Sequence, residues 1–96
     1  MAMLRIDTNY STESTRFTVA GTLIGPWVIV LEECWRTVVV ERPGSAIMVH
    51  LADVTFIDTA GRELLTRMYR QGVTLVPSGL LMKAIVEDIE ADVGRS

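Results

Sequence analysis

A chain of 96 residues is one domain's worth, and a globule of that size buries roughly 60–65% of its unfolded surface, enough to fold without metal or disulfide staples. With 49% apolar and 22% charged residues the chain is neither disordered nor low-complexity, and a net charge of −3 supplies no field for nucleic acid. The single cysteine, Cys34, excludes an internal disulfide and agrees with a reducing cytoplasm, and the longest apolar run, residues 26–31, is far short of the ~20 residues that span a bilayer. No basic segment followed by an apolar one opens the chain, so neither secretion nor direct membrane insertion is expected.

Residues 3–10 alternate loosely, with Leu4 and Ile6 set against Arg5 and Asp7, as a half-buried strand does. Residues 9–15 are polar, and residues 16–24 alternate again through Phe17, Val19 and Leu23, so the two strands read as a hairpin. Gly25-Pro26 breaks the second strand, and proline suits a first helical turn, where its missing N–H is unpaired anyway. A helix is expected from Trp27 to about Thr37, with Trp27, Leu31, Cys34, Trp35 and Val38 on one face and Glu32, Glu33, Arg36 and Thr37 away from it. The β-branched residues 28–30 and 38–40 argue against a helix on propensity, and the face pattern outweighs them.

After a turn at residues 42–45, residues 46–51 are apolar on both faces around His50, as in a central strand covered on both sides. Residues 53–57 resume an apolar edge, and Asp58-Thr59 offers an N-cap to a helix over residues 60–71. That helix turns Leu64, Leu65 and Met68 inward and Arg62, Glu63, Thr66, Arg67, Arg70 and Gln71 outward, with Glu63 and Arg67 as an i,i+4 pair and Gly72 as terminator. Residues 73–76 form a short strand closed by Pro77-Ser78-Gly79, and residues 80–89 a last helix with Leu81, Ala84, Ile85 and Ile89 as its inner stripe. Residues 1–3 and 92–96 are expected to fray. The order ββαβαβα, taken with right-handed crossovers, predicts a single α/β domain over residues 1–96: a mixed four-stranded sheet, an opening antiparallel hairpin and then parallel strands, covered by about three helices.

The residues offer little to catalysis. One histidine and one cysteine do not make a zinc site, so no metal is expected; His50 reads as a hydrogen-bonded core histidine and Cys34 as packing, its neighbours Glu32 and Glu33 disfavouring a thiolate. Neither nucleotide-binding glycine loop is present, nor a G-x-S-x-G elbow, so no catalytic residue and no cofactor are assigned. Arg62, Arg67 and Arg70 read first as a solvated helix face and second as phosphate readers. The acidic residues Glu87, Asp88, Glu90 and Asp92 oppose the dipole of a helix C-terminus and are expected in water. The over-specified stretch is Val54-Thr55-Phe56-Ile57-Asp58-Thr59-Ala60-Gly61, where an apolar strand runs straight into Asp-Thr-small-Gly and a helix. That places a carboxylate and a hydroxyl beside unpaired helix N–H groups. It reads equally as plain capping and as a surface corner that presents Thr59 to a partner or kinase, a phosphate there being favoured by the helix N-terminus.

At this loop, and at Gly21-Thr22-Leu23, Leu64-Leu65 and the strand–helix ending, the sequence resembles a STAS domain, the fold of bacterial anti-sigma-factor antagonists. The resemblance implies that Asp58 matches the loop aspartate, Thr59 the first serine, Ala60 the serine that a partner kinase phosphorylates, and Gly61 the glycine. Alanine has no hydroxyl, so the family's switch does not operate at that position. Ile24 stands where the family has an acidic residue, His50 where it has a strand aspartate, and Arg62 where it has leucine. The Asp-Thr-small-Gly variant also resembles the STAS subunits of bacterial lipid-transport ABC systems.

The resemblance implies a bacterial, cytoplasmic, non-enzymatic interaction module for transcription regulation, with Phe56, Asp58, Thr59, Ala60, Gly61, Arg62, Arg67 and Arg70 as its partner surface and Thr59 as the remaining candidate phosphoacceptor. Its partner would be an anti-sigma factor of the histidine-kinase-like ATPase type, or alternatively an ABC ATPase subunit. A small-molecule or nucleotide-binding domain at the carboxyl ends of the strands is a third reading. Exposed indoles at Trp27 and Trp35 would add a homodimer.

Overall fold

A computed structural model of the chain describes residues 3–94. The polypeptide runs β1 (Leu4–Tyr10), β2 (Ser14–Leu23), α1 (Pro26–Glu41), β3 (Ala46–Ile57), α2 (Thr59–Arg70), β4 (Thr74–Pro77) and α3 (Leu80–Gly94). β1 and β2 pair antiparallel, β2–β3 and β3–β4 pair parallel, and the sheet order is β1-β2-β3-β4. This is the expected α/β architecture with a mixed four-stranded sheet and three helices.

Because both β–α–β steps move to the next strand in the same direction, right-handed crossovers lay α1 and α2 on one face of the sheet, and α3 joins them there by packing Met82, Val86 and Ile89 into the same core. Phe17, Val19 and Leu23 of β2, Val49, Leu51 and Val54 of β3, and Leu75 of β4 form one buried cluster with Leu31, Leu64, Leu65, Met68, Met82, Val86 and Ile89 of the helices. The other sheet face meets water through residues such as Arg16, Met48 and Thr74. This corrects the expectation of cover on both sides of β3. It also corrects His50, which lies on the open face, half-buried and with no side-chain hydrogen bond, and is not a satisfied core histidine.

β3 is one continuous strand where the pattern suggested two pieces. The β2–β3 register shifts between Val19 and Ala20 and again between Gly21 and Thr22, so the inward phase of β3 passes from Leu51 to Val54. Gly21 sits at these bulges with φ +99°, and a Cβ there would strike the Met3 carbonyl, which accepts from Thr22 N–H at 3.0 Å.

α1 and α3 run longer than expected, whereas α2 has the expected length. α1 continues to Glu41 because Val38 lies one buried face-repeat beyond Leu31, a gain that outweighs the modest helix penalty of valine. Val28 is buried too, with Trp27, Cys34 and Trp35 half-buried at the flanks. α3 continues to Gly94, into the stretch expected to fray, while residues 1, 2, 95 and 96 lie outside the described residues. Its inner stripe is Met82, Val86 and Ile89, with Ile85 half-buried, in place of the expected Leu81, Ala84, Ile85 and Ile89. That rotation, about 100° for one residue, leaves Leu80 at 89% and Leu81 at 55% exposure.

Arg42, just past α1, ties this end of the molecule to the hairpin turn. Its guanidinium donates to Ser14 O at 3.1 Å, to the buried Thr15 Oγ1 at 2.8 Å and to the Ser11 carbonyl, and lies 5.1 Å from the centre of the Tyr10 ring. Only a planar fork with several donors makes this set. Arg42→Ala is therefore expected to lower stability in urea denaturation by about 1.5–3 kcal/mol. Arg42→Lys should recover less than half of that loss.

Candidate functional site

β3 ends at Ile57, and Asp58, with extended backbone at φ −96° and ψ −179°, caps α2. Its Oδ1 accepts from Gly61 N–H at 2.8 Å, which satisfies one of the helix's orphan donors. Its Oδ2 accepts from Gly25 N–H at 2.9 Å, and its own N–H donates to Leu23 O at 3.3 Å. One residue thus pins the β3–α2 corner to the segment between β2 and α1. The Gly25 contact was not anticipated; the Gly25-Pro26 break marks a turn but does not say which carboxylate it meets.

Gly61 makes the second fixation. It is buried, and a Cβ on it would lie 2.5 Å from Leu23 O and 2.9 Å from Ile57 Cγ1. The first turn of α2 therefore sits directly on the end of β2. Outside this anchor Thr59 and Ala60 are exposed, the Thr59 hydroxyl makes no hydrogen bond, and Phe56 stands 63% exposed at the end of β3. The corner is rigid beneath and open above, and offers a ring, a hydroxyl and a helix N-terminus to solvent.

Its electrostatics follow from the clamp. The hydrogen bond from Gly25, then the one from Gly61, holds the Asp58 carboxyl below its ordinary value. Glu32 on α1 is lowered as well, chiefly by the hydrogen bond from Arg67. Cys34 moves the other way, its thiol pushed up by burial and then by Glu33, as expected of a packing residue.

The expected surface residues do not form one patch. Phe56, Asp58, Thr59, Ala60, Gly61 and Arg62 share the corner, but the Arg62 guanidinium already lies 3.8 Å from both Asp88 and Asp92 of α3. Arg67 donates to Glu32 Oε2 at 2.8 Å and so bridges α2 to α1; the expected Glu63–Arg67 pair does not form. Arg70 sits at the far end of α2, about 16 Å along the helix axis from Thr59.

No family model matches the sequence, and no curated protein matches it significantly. The structure does match that of an anti-sigma factor antagonist from Mycobacterium paratuberculosis, with a TM-score of 0.79 over 96% of this chain and 82% of that one, at 18% identity. The chain has the STAS fold. Among the described residues no helix is long and apolar enough to cross a membrane.

Two outcomes follow for the corner. Gly61→Ala must push backbone against backbone, and chemical denaturation should show a loss of about 1–3 kcal/mol. Asp58 has a depressed carboxyl in the folded chain, so its contribution is fully present above the unfolded value and disappears as pH falls through the folded one. The melting temperature of wild type should exceed that of Asp58→Asn by several degrees at neutral pH. That gap should narrow below pH about 4, where carboxylates take up protons.

Proposed function

We propose that the protein is a non-catalytic interaction module of the anti-sigma-factor-antagonist type, acting in a bacterial cytoplasm, that docks on a regulatory protein through the β3–α2 corner. The observation that carries this reading is the corner's build: Asp58 and Gly61 lock it from below, while the Thr59 hydroxyl, the Ala60 methyl and the Phe56 ring are exposed above. A surface fixed before contact loses little conformational freedom on binding. The structural neighbour's description as an anti-sigma factor antagonist supports an anti-sigma factor as the partner; the histidine-kinase-like ATPase type is what the loop resemblance adds.

Phe56 supplies apolar area, Thr59 a hydrogen bond, and the helix N-terminus a partial positive charge toward an acidic or carbonyl group of the partner. Ala60 fills the place of the family's phosphorylated serine, so docking here is not reversed by phosphate at that position. A small-ligand site at the carboxyl ends of the strands has less to support it. The strand order never reverses, so the switch-point crevice that holds ligands in open α/β sheets is missing.

Thr59→Glu tests the reading. Glutamate at the first position of a helix is favourable, and Thr59 is exposed, so the melting temperature should stay within a few degrees of wild type. Pull-down from native lysate should lose a sigma-regulatory partner that wild type retains; an undiminished partner moves the interface elsewhere, and an ABC ATPase in its place changes the partner class. Incubation with the cognate anti-sigma kinase should leave the protein unphosphorylated by mass spectrometry, and stoichiometric phosphate on Thr59 would restore a switch.

A further inference from the structure

At the opposite end of the molecule a groove of about 970 Å³ opens between the C-terminal ends of α1 and α2. Four guanidinium groups line it, those of Arg36, Arg42, Arg67 and Arg70, against the one carboxylate of Glu32. The chain as a whole carries −3, so the groove's charge opposes the net sign.

The charges are not used up internally. Arg36 and Arg67 both donate to the same Glu32 oxygen, Oε2, at 3.1 and 2.8 Å, leaving two cations on one anion. Arg70 has no hydrogen-bond or ion-pair partner among the described residues. Arg42 is spent on the hairpin turn and contributes its field only. Beneath the charges the groove is apolar: Trp35 is half-buried in its wall, and Val39 is exposed at 48%. Arginine around tryptophan and exposed aliphatic surface is the composition of interface hot spots.

We propose that this groove is a second docking surface, which takes an acidic segment of a protein partner with a leucine-like or aromatic anchor set against Trp35 and Val39. Two features favour carboxylates over phosphates. Glu32 is itself a carboxylate held by two of the arginines, so the geometry for that group is already realised. The helix ends that flank the groove are carbonyl ends, whose partial negative charge opposes a nearly doubly charged phosphate more strongly than a singly charged carboxylate. The proposal is independent of the corner reading, since the two surfaces lie at opposite ends of α2.

The full chain is titrated by fluorescence anisotropy with a fluorescein-labelled peptide of glutamates and leucines, and with its glutamine analogue. Saturable, salt-sensitive binding of the glutamate peptide is expected, with amide-resonance shifts at Trp35, Val39 and Arg70. Arg36→Ala/Arg70→Ala, two exposed positions that leave the Arg67–Glu32 bridge in place, should weaken it about tenfold, equal to ~1.4 kcal/mol. Thr59→Glu should bind the peptide as wild type does, which separates this result from any failure of the corner reading. Absence of saturable binding, equal binding of the glutamine peptide, indifference to the double substitution, or resonance shifts confined to residues 56–62 would each overturn the proposal. So would displacement by a single-stranded oligonucleotide at a lower concentration than by unlabelled peptide, which would make the groove a phosphate site.

Discussion

Every parallel connection in this chain crosses over with the same hand and advances in the same direction, and most of the molecule's shape follows from that constraint. With the order β1-β2-β3-β4 never reversing, α1 and α2 have only one face of the sheet to occupy, and α3 closes the same core from beside α2. One core results, and the opposite face must tolerate water. The residues obey: Phe17, Val19, Val49 and Leu51 point into the core, while their strand neighbours Arg16, Thr18, Met48 and His50 are exposed or half-buried. A reversal anywhere would have sent a helix to the other face and opened a ligand crevice at the switch point.

The same constraint gives the molecule two unlike ends. α1 and α2 each run back between parallel strands, so both begin at the carboxyl ends of β2 and β3 and finish at the other end of the sheet. The first end gathers helix N–H groups, and Asp58 answers two loops' worth of donors with one carboxylate. The second gathers helix carbonyls, and arginines of α1 and α2, with Arg42 just beyond, surround it. Some of that positive charge complements the helix dipoles, which accounts for basic residues there but not for a Trp35-walled groove between them.

Much of the fold was legible because the strands and α2 obey simple periods. The hairpin, the N-cap at Asp58 and the inward trio Leu64, Leu65 and Met68 each follow from local pattern. What escaped was tertiary. The two bulges opposite Gly21 shift the phase of β3, so alternation breaks at Ala52 although the strand continues. Residues 46–51 looked two-sided because Met48 and Ala46 are apolar, yet nothing covers them; a one-sided sheet tolerates such residues singly. The stripe of α3 was ambiguous because Leu80, Leu81, Met82, Ile85, Val86 and Ile89 allow two neighbouring faces, and packing on β4 and α2 selects one. At the site, the order Asp-Thr-small-Gly announced the cap and the close approach at Gly61, whereas the reach of Asp58 to Gly25 and of Arg67 to Glu32 joins residues 33 and 35 apart in sequence. Local patterns carry no such pairing.

Alanine at position 60 gives the corner its character. Charge added at this place would compete with Asp58 for the first N–H groups of the helix. Here Asp58 holds Gly61 N–H without a rival from position 60, and hydrogen bonds from Gly25 and Gly61 keep its carboxyl ionised below the ordinary range. A module with no switch at position 60, on the proposed reading, transmits information through what it brings together. On the two readings proposed, a partner at the corner and an acidic segment in the groove occupy opposite ends of α2, about 16 Å apart along its axis, and need not exclude each other. Joining them on one small rigid body raises the local concentration of each for the other, which is a regulatory effect obtained without a covalent switch.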